Sequence, residues 1–506
     1  MSDAPAVAPR KRSLLALAPE VPAPSSPGTL AAARDVLRTL DLEKARAFFG
    51  SVGERVLKTT ASLCPVCVGY VPALVVERGG KVFARKVCAT HGASMALLEN
   101  DIAYYRLSTR DATGQVFAKE LVDDHGAAPG DCCEGGACGT ATAQGENATC
   151  TLLVEITNAC NLACRVCYAD SKGDRVMPLE DVREFLLKIL DAKGGLDSVQ
   201  ITGGEASLHP DFWAIVAFLH EEPRIKKIYL PTNGLLFAKP ENAAKLVPFR
   251  SKVLVLLQLD SLDHDANMTL RAADPTKPRF AVVEELARLG IFMQLTVTVA
   301  QGVNEKEAGK IVDLGLSHDH VKVVALQPTT TSGRYDIPLD PMDRLTMSDV
   351  IKSVVAGADE AKRRGKLDEA AFVPIPCSHP NCGWITLFFR RFGILENLGK
   401  HVDLSAKRAD LTNKALLSTD ELRDVVGTAE LSVLEKLKGA IGKRIVRSQD
   451  IFTVAVKPFM DKHTYDQDRV ATCCHHLMDT QGNVTSFCEY NALLRPGDSW
   501  ERFPTL

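Results

Sequence analysis

The sequence predicts an α/β chain: a partial (β/α)6 barrel, preceded by an N-terminal metal-knuckle module and followed by a C-terminal cysteine-rich domain. Three observations carry this reading. Strand-like runs alternate with amphipathic helical patterns between residues 151 and 335. The 15 cysteines crowd the two flanks of that region and are absent from 168–376. A C-x2-C pair and a C-x2-H pair bracket an alternating hairpin centred on Gly79-Gly80.

The barrel strands are read at 151–157, 198–202, 227–231, 253–260, 293–299 and 322–327, with helical patterns opening at Leu179, Ala281 and Glu305. Such alternation implies parallel strands joined by helical crossovers. Six units are too few to close an eight-fold barrel, so the curved sheet is expected to be open on one side. In parallel β/α folds the chemistry gathers at the C-terminal strand ends. There the sequence places Thr202-Gly203-Gly204-Glu205, Thr232-Asn233-Gly234, Gln258 with Asp260, and Gln327 followed by Gly333-Arg334. The i, i+2 spacing puts Gln258 and Asp260 on one face. Gly203 and Gly204 are expected to let a ligand approach the backbone closely.

Composition excludes several classes. With 46% apolar and 24% charged residues the chain is an ordinary soluble protein. A formal net charge of −3 gives no reason to expect a nucleic-acid partner. The apolar runs at 253–257 and 384–389 fall far short of the ~20 residues of a membrane-spanning helix. Residues 1–30 read as a disordered Ala/Pro tail, because the apolar run at 14–17 behind Arg10, Lys11 and Arg12 is too short for an export signal. A cytoplasmic location follows as the expectation, with thiols kept reduced. Fifteen cysteines in that setting point to metal.

The cysteines form four groups. Cys64, Cys67, Cys88 and His91 make a zinc-ribbon or rubredoxin-like knuckle, with the hairpin at 73–87 between the two ligand pairs. Zinc and mononuclear iron both fit, and four protein ligands imply a structural role. Cys132, Cys133, Cys138 and Cys150 lie on a Gly-rich stretch suited to an iron–sulfur cluster. Adjacent side chains point apart, which makes one of Cys132 and Cys133 a bystander. Cys160-x3-Cys164-x2-Cys167, followed by Tyr168, offers three thiolates for a four-iron cluster and so leaves one iron with an open position. Cys377, Cys382, Cys473, Cys474 and Cys488 give five thiols for a fourth site, one of them spare. His379, His475 and His476 among them read as polar neighbours of that site. The chain therefore divides into a tail (1–30), a helix plus knuckle (31–125), an auxiliary-cluster loop (126–150), the partial barrel (151–335) and a C-terminal auxiliary-cluster domain (336–506).

The C-x3-C-x2-C-Y motif with "GGE" after the second strand resembles the radical S-adenosylmethionine (SAM) superfamily. The resemblance implies that the open iron of a [4Fe–4S] cluster on Cys160, Cys164 and Cys167 chelates SAM. One electron then releases methionine and a 5′-deoxyadenosyl radical that abstracts hydrogen. It further implies SAM contacts from Gly203, Gly204 and Glu205, with Tyr168, Asn233, Gln258 and Asp260 lining the cofactor or substrate pocket. "LCPVC", "VCATHG", "LRAAD", "PCSHPNC" and "CCHHLMDTQGNVTSFCEYN" narrow the resemblance to a multi-cluster subfamily that includes tetraether lipid synthase and pterin-methylating enzymes. That subfamily implies a rubredoxin-like iron and two auxiliary clusters beside the SAM cluster. His91 departs from a four-cysteine rubredoxin site and keeps zinc open.

The leading functional expectation is carbon–carbon bond formation or alkylation at unactivated carbons, with lipid acyl chains as substrate. The runner-up is methylation of a pterin such as 7,8-dihydro-6-hydroxymethylpterin. A third reading, a metal-binding regulator without catalysis, is opposed by the three-thiolate motif with "GGE". Expected partners are a small-molecule or lipid substrate and a reducing protein such as a ferredoxin or flavodoxin. A peripheral membrane contact would use residues 384–389 with Arg390 and Arg391.

Overall fold

The computed structural model describes residues 28–110, 149–375, 379–391, 393–399 and 450–506. The knuckle is an antiparallel meander of β1 (Arg55–Leu63), β2 (Tyr70–Arg78), β3 (Lys81–Cys88) and β4 (Gly92–Glu99). The β2–β3 turn is Gly79-Gly80, with φ of 61° and 77°. Left-handed values at both positions match the right-handed twist of the flanking strands, and glycine adopts them without penalty. Helices Leu30–Arg38 and Leu42–Phe49 cover one face of the meander, burying Ala45 and Phe49 against Val56, Leu74, Val76, Phe83 and Leu97.

The barrel follows as expected. Its strands are β5 (Thr151–Thr157), the two-residue β6 (Val166–Cys167), β7 (Leu196–Gly203), β8 (Ile225–Thr232) and β9 (Val253–Gln258). They continue with β10 (Met293–Val299), β11 (Val321–Pro328) and the short β12 (Arg334–Tyr335), which pairs with β6. β5, β7, β8, β9, β10 and β11 are neighbours in that order and parallel throughout. Every residue of β5 is buried, as a strand covered on both faces requires. The helix Leu179–Lys193 buries Val182, Leu186, Ile189 and Leu190. Spacings of four, three and one place them on a single stripe against the sheet. Gly194, at φ 78°, ends that helix in the left-handed conformation.

The C-terminal region lengthens the sheet at both edges. It supplies β13 (Val373–Pro374), β14 (Trp384–Arg391), β15 (Ile394–Asn397), β16 (Ile451–Val456), β17 (His475–Met478) and β18 (Val484–Ser486). β16 adds in parallel to β11, and β17 adds in parallel to β5. Eight parallel strands therefore run from β16 to β17 without a break, and β14 continues the sheet antiparallel to β16.

Residues 384–389, for which a membrane-surface contact and a buried strand were both open, form a strand of the sheet. Trp384, Phe388 and Phe389 are buried within the sheet. Arg390 donates to the carbonyls of Gly315, Leu316, Asp319 and Val321, so its charge caps a helix end. No helix among the described residues is long and apolar enough to cross a membrane.

Candidate active site and metal centres

The knuckle gathers its four ligands as predicted. The ligand atoms of Cys64, Cys67, Cys88 and His91 all lie within 4.8 Å of one another. Cys64 Sγ stands 3.6 Å and Cys88 Sγ 3.5 Å from His91 Nδ1, and Cys67 Sγ is 4.0 Å from Cys88 Sγ. Burial alone would raise the Cys64 thiol, but the N–H groups of Val66 and Cys67 aim at the sulfur and the balance falls below the ordinary thiol value. A Cys3His set of this size fits one tetrahedral ion.

The second centre is the loop between β5 and β6. Cys160 and Cys167 are partly buried and Cys164 is buried. The Cys160 thiol is pushed up to about 11, first by burial and then by the nearby charges of Glu205, Cys164 and Cys167. Three cysteines on one short loop could hold a cluster through their thiolates.

Gly203 and Gly204 hold this loop in place, for a reason the sequence reading did not anticipate. A Cβ at Gly203, where φ is 122°, would lie 2.0 Å from the Thr157 carbonyl, and one at Gly204 would lie 1.9 Å from the Ala159 carbonyl. The close approach that demands glycine is thus made by the cysteine loop's own backbone. Gly204 N donates to Thr157 O and Glu205 N to Ala159 O.

Glu205 is buried, and burial raises its proton affinity. Its carboxylate accepts from Asn233 N at 2.8 Å, Thr232 Oγ1 at 2.9 Å and Ser207 Oγ at 2.6 Å. Asn233 Nδ2 donates in turn to Asn161 Oδ1 on the cysteine loop at 2.7 Å. A desolvated carboxylate without an ionic partner is costly, and an ammonium brought to it would relieve the cost.

On the other flank, Gly333 lies against the carbonyls of Cys167 and Tyr168, and Arg334 pairs with Cys167. Three polar atoms of this segment, Thr331 Oγ1, Ser332 Oγ and Arg334 Nε, are buried without a hydrogen-bond partner. Arg334 has a distant ion-pair contact, 3.8 Å from Asp170. Donors orphaned beside an open metal site fit an anionic ligand group.

Asp260 and Gln258 take a different role from the one expected. Asp260 is 0% exposed. Arg271 grips it bidentately, with both contacts at 2.7 Å, while Arg279 stands 3.6 Å away and Thr298 N donates at 2.9 Å. Burial would raise the Asp260 carboxyl, but Arg271 and then Arg279 hold it below the usual range. Gln258 Nε2 also points to Asp260, at 3.4 Å. Arg271 NH1 reaches the Val166 carbonyl at 3.0 Å. The Asp260–Arg271 pair therefore braces the cysteine loop, and Asp260 is fully enclosed. Tyr168 also braces: its hydroxyl shares a 3.0 Å hydrogen bond with Thr202, and its ring packs edge-on against Phe487.

The remaining cysteines regroup. Cys132, Cys133, Cys138 and Cys377 lie outside the described residues. Cys150 lies apart from the Cys160 loop, beside Cys474. Cys382 and Cys488 lie near Arg469, whose Nε donates to Cys382 Sγ at 3.4 Å, and Cys473 lies near both cysteines. Met460 N donates to Cys488 Sγ at 3.4 Å. Cys488 is pushed up to about 11 by burial, with Cys382 adding to the rise and Arg469 opposing it. Arg469, Arg271, Ser207, Asn161 and Ser332 were not singled out in the sequence, although Arg271 sits in the "LRAAD" segment.

A parallel half-barrel whose C-terminal strand ends hold an open three-thiolate loop defines a class of iron–sulfur enzymes that work by reductive cleavage. Residues 154–315 match the radical SAM superfamily, and the barrel segment is that of a radical SAM enzyme. Residues 56–100 match the HMPTM N-terminal zinc ribbon domain. The chain is similar to the 7,8-dihydro-6-hydroxymethylpterin dimethyltransferase of Methanocaldococcus jannaschii, at 24% identity over 88% of this chain and 97% of that one. It is also similar to the GTP 3′,8-cyclase of Helicobacter pylori, at 27% identity over 34% of this chain and 53% of that one. Among solved structures, Streptococcus suis SuiB bound to S-adenosylmethionine aligns with 43% of this chain and 49% of its own, at 19% identity and a TM-score of 0.37.

Proposed function

We propose that this chain methylates a reduced hydroxymethylpterin, using radical SAM chemistry at the Cys160–Cys164–Cys167 loop. The observation that carries the reading is the end-to-end similarity to the pterin dimethyltransferase, which spans the knuckle, barrel and C-terminal segment together. The zinc ribbon match over residues 56–100 supports zinc as the knuckle's occupant. The lipid reading has no such full-length relative behind it, and residues 384–389, which could have faced a membrane, form an interior strand.

When bound, the [4Fe–4S] cluster supplies the single electron that cleaves SAM. Cys160, Cys164 and Cys167 would hold it as thiolates, one fewer than its irons. Glu205 receives the SAM ammonium, exchanging an unpaired buried charge for a charge-assisted hydrogen bond. Ser332 and Arg334 donate to the SAM carboxylate from the opposite flank of the loop. Asn233 and Asn161 keep the loop in register with Glu205, so the two ends of the ligand meet pre-oriented partners.

Expression in a bacterium that makes unmethylated hydroxymethylpterin, followed by mass spectrometry of its pterins, tests the reading. The expected result is a pterin carrying one or two added methyl groups, absent when Cys164→Ala is expressed instead. Active SAM cleavage with no methylated pterin would overturn the substrate assignment and leave the enzyme class standing.

A further inference from the structure

Asp260 is one carboxylate between two buried guanidinium groups. Arg271 takes both of its oxygens, through Nε and NH2, each at 2.7 Å. That pair is complete by itself, and Thr298 adds only neutral partners, its N–H to Asp260 and its hydroxyl to Arg271. Arg279, in the first turn of the helix Thr276–Arg288, is a second cation, 1% exposed and 3.6 Å from the same carboxylate. Its NH1 and NH2 make no hydrogen bond, and its Nε makes only a long one, 3.4 Å to the Asn233 carbonyl. A guanidinium kept for bracing would spend those donors on the backbone, as Arg390 does. One buried with most of its donors idle is costly unless another negative charge stands near it.

That charge belongs to the cysteine loop. Arg271 NH1 donates to the Val166 carbonyl and Arg165 N to the Leu270 carbonyl, both at 3.0 Å, which ties the arginine pair to the loop between Cys164 and Cys167. Cys164 is buried and close enough to act electrostatically on both guanidinium groups. Asp274 acts on Arg279 as well, but from a part-exposed position where it already holds His264 and Thr276. Glu205 is committed to Asn233 N, Thr232 and Ser207.

We propose that Arg279 sets the reduction potential of the cluster on Cys160, Cys164 and Cys167, its surplus charge favouring the form that holds one more electron. Reduction takes the [4Fe–4S] core from 2+ to 1+ with one electron from a low-potential donor, and no bond is made or broken. Three thiolates already outweigh the core, so the added electron deepens a negative charge in a poorly screened interior. A fixed buried cation offsets part of that cost. The inference rests on the cluster reading of this loop and not on the pterin.

The test uses the full chain, purified without oxygen and reconstituted with iron and sulfide, as wild type, Arg279→Met, Arg279→Lys and Asp260→Asn. Each is titrated with dithionite through redox mediators, without SAM, following the electron paramagnetic resonance signal that Cys164→Ala lacks. Iron and sulfide per chain equal to wild type show that a variant has folded and loaded. Arg279→Met removes the charge while nearly keeping the volume, an exchange that buried ionic groups often tolerate. At the wild-type midpoint it is expected to hold about tenfold less reduced cluster, the scale of one charge at close range in a partly screened interior. Arg279→Lys should lie between the two, and Asp260→Asn, which removes the negative partner, should shift the midpoint upward. A merely structural Arg279 would lower the melting temperature of Arg279→Met and leave its midpoint in place, and that result overturns the proposal. So does a midpoint in Arg279→Lys as low as that of Arg279→Met. If Arg279→Met takes up no cluster, Asp260→Asn decides, and a midpoint at or below the wild-type value refutes the role. Absence of any Cys164-dependent signal in the wild type would instead strike the cluster reading beneath it.

Discussion

The knuckle and the Cys160 loop both present clustered thiols, and they are built in opposite ways. The knuckle completes its own coordination with Cys64, Cys67, Cys88 and His91 on a hairpin near the surface, Cys67 being exposed. The Cys160 loop stops at three thiols and is supported from every side by buried polar groups: Glu205 through Asn233, Asp260 through Arg271, and Tyr168 through Thr202. A closed set needs little around it because the ion saturates it. An open set must be held rigid by the protein, since its vacant position has to meet a ligand at a fixed place.

That contrast can be broken at several points. The largest effect is expected for Cys164→Ala, which should reduce SAM cleavage to background, read as 5′-deoxyadenosine after anaerobic loading. Asp260→Asn should come next, because it leaves Arg271 and Arg279 buried without a counter-charge. A loss of ~3–5 kcal/mol in denaturant unfolding is expected. Asp260 titrates below its unfolded value, so its contribution is present above that value and lost as pH falls through the depressed one. Asp260→Asn should therefore flatten the acid limb of the wild-type stability curve.

Glu205→Gln should weaken SAM binding by about 10–100-fold while leaving the cluster loaded, as loss of one charge-assisted hydrogen bond implies. The pH dependence has the opposite sign here. Burial raises the Glu205 carboxyl, so its stabilising contribution is complete below the unfolded value and is lost as pH rises through the folded one. SAM affinity should climb over that same interval in the wild type and stay level in Glu205→Gln, by calorimetric titration. The smallest effect on chemistry is expected for Cys64→Ala. It should cost the knuckle its zinc and lower the melting temperature, yet preserve SAM cleavage. A collapse of cleavage in Cys64→Ala would erase the distinction between the two regions.

Much of this was legible in the sequence because it is local. The Gly79-Gly80 hairpin and the stripe on Leu179–Lys193 are set by spacing within one segment and formed where spacing put them, and C-x3-C-x2-C falls on the loop after β5. What was not legible depends on which segments meet. Gly203 and Gly204 looked like ligand glycines, yet the backbone they accommodate belongs to Thr157 and Ala159. Asp260 stood at a strand end like a ligand contact, and only the fold brings Arg271 and Arg279 to it. Cys474 could not be separated from Cys473 until β17 was seen beside β5.

The pairing of β17 with β5 also bears on how the protein is made. His475 lies opposite Thr151, so the first barrel strand waits for nearly the last part of the chain to cover its outer edge. At ~5–20 residues per second, synthesis of the intervening 324 residues takes roughly 16–65 s. Throughout that interval an apolar strand edge stands open on the ribosome, which is the kind of surface that recruits wrong partners. Cys150 is reachable during the same interval and buried after it. For the nascent chain, the last strand is the step that ends both the exposure and the access to that cysteine.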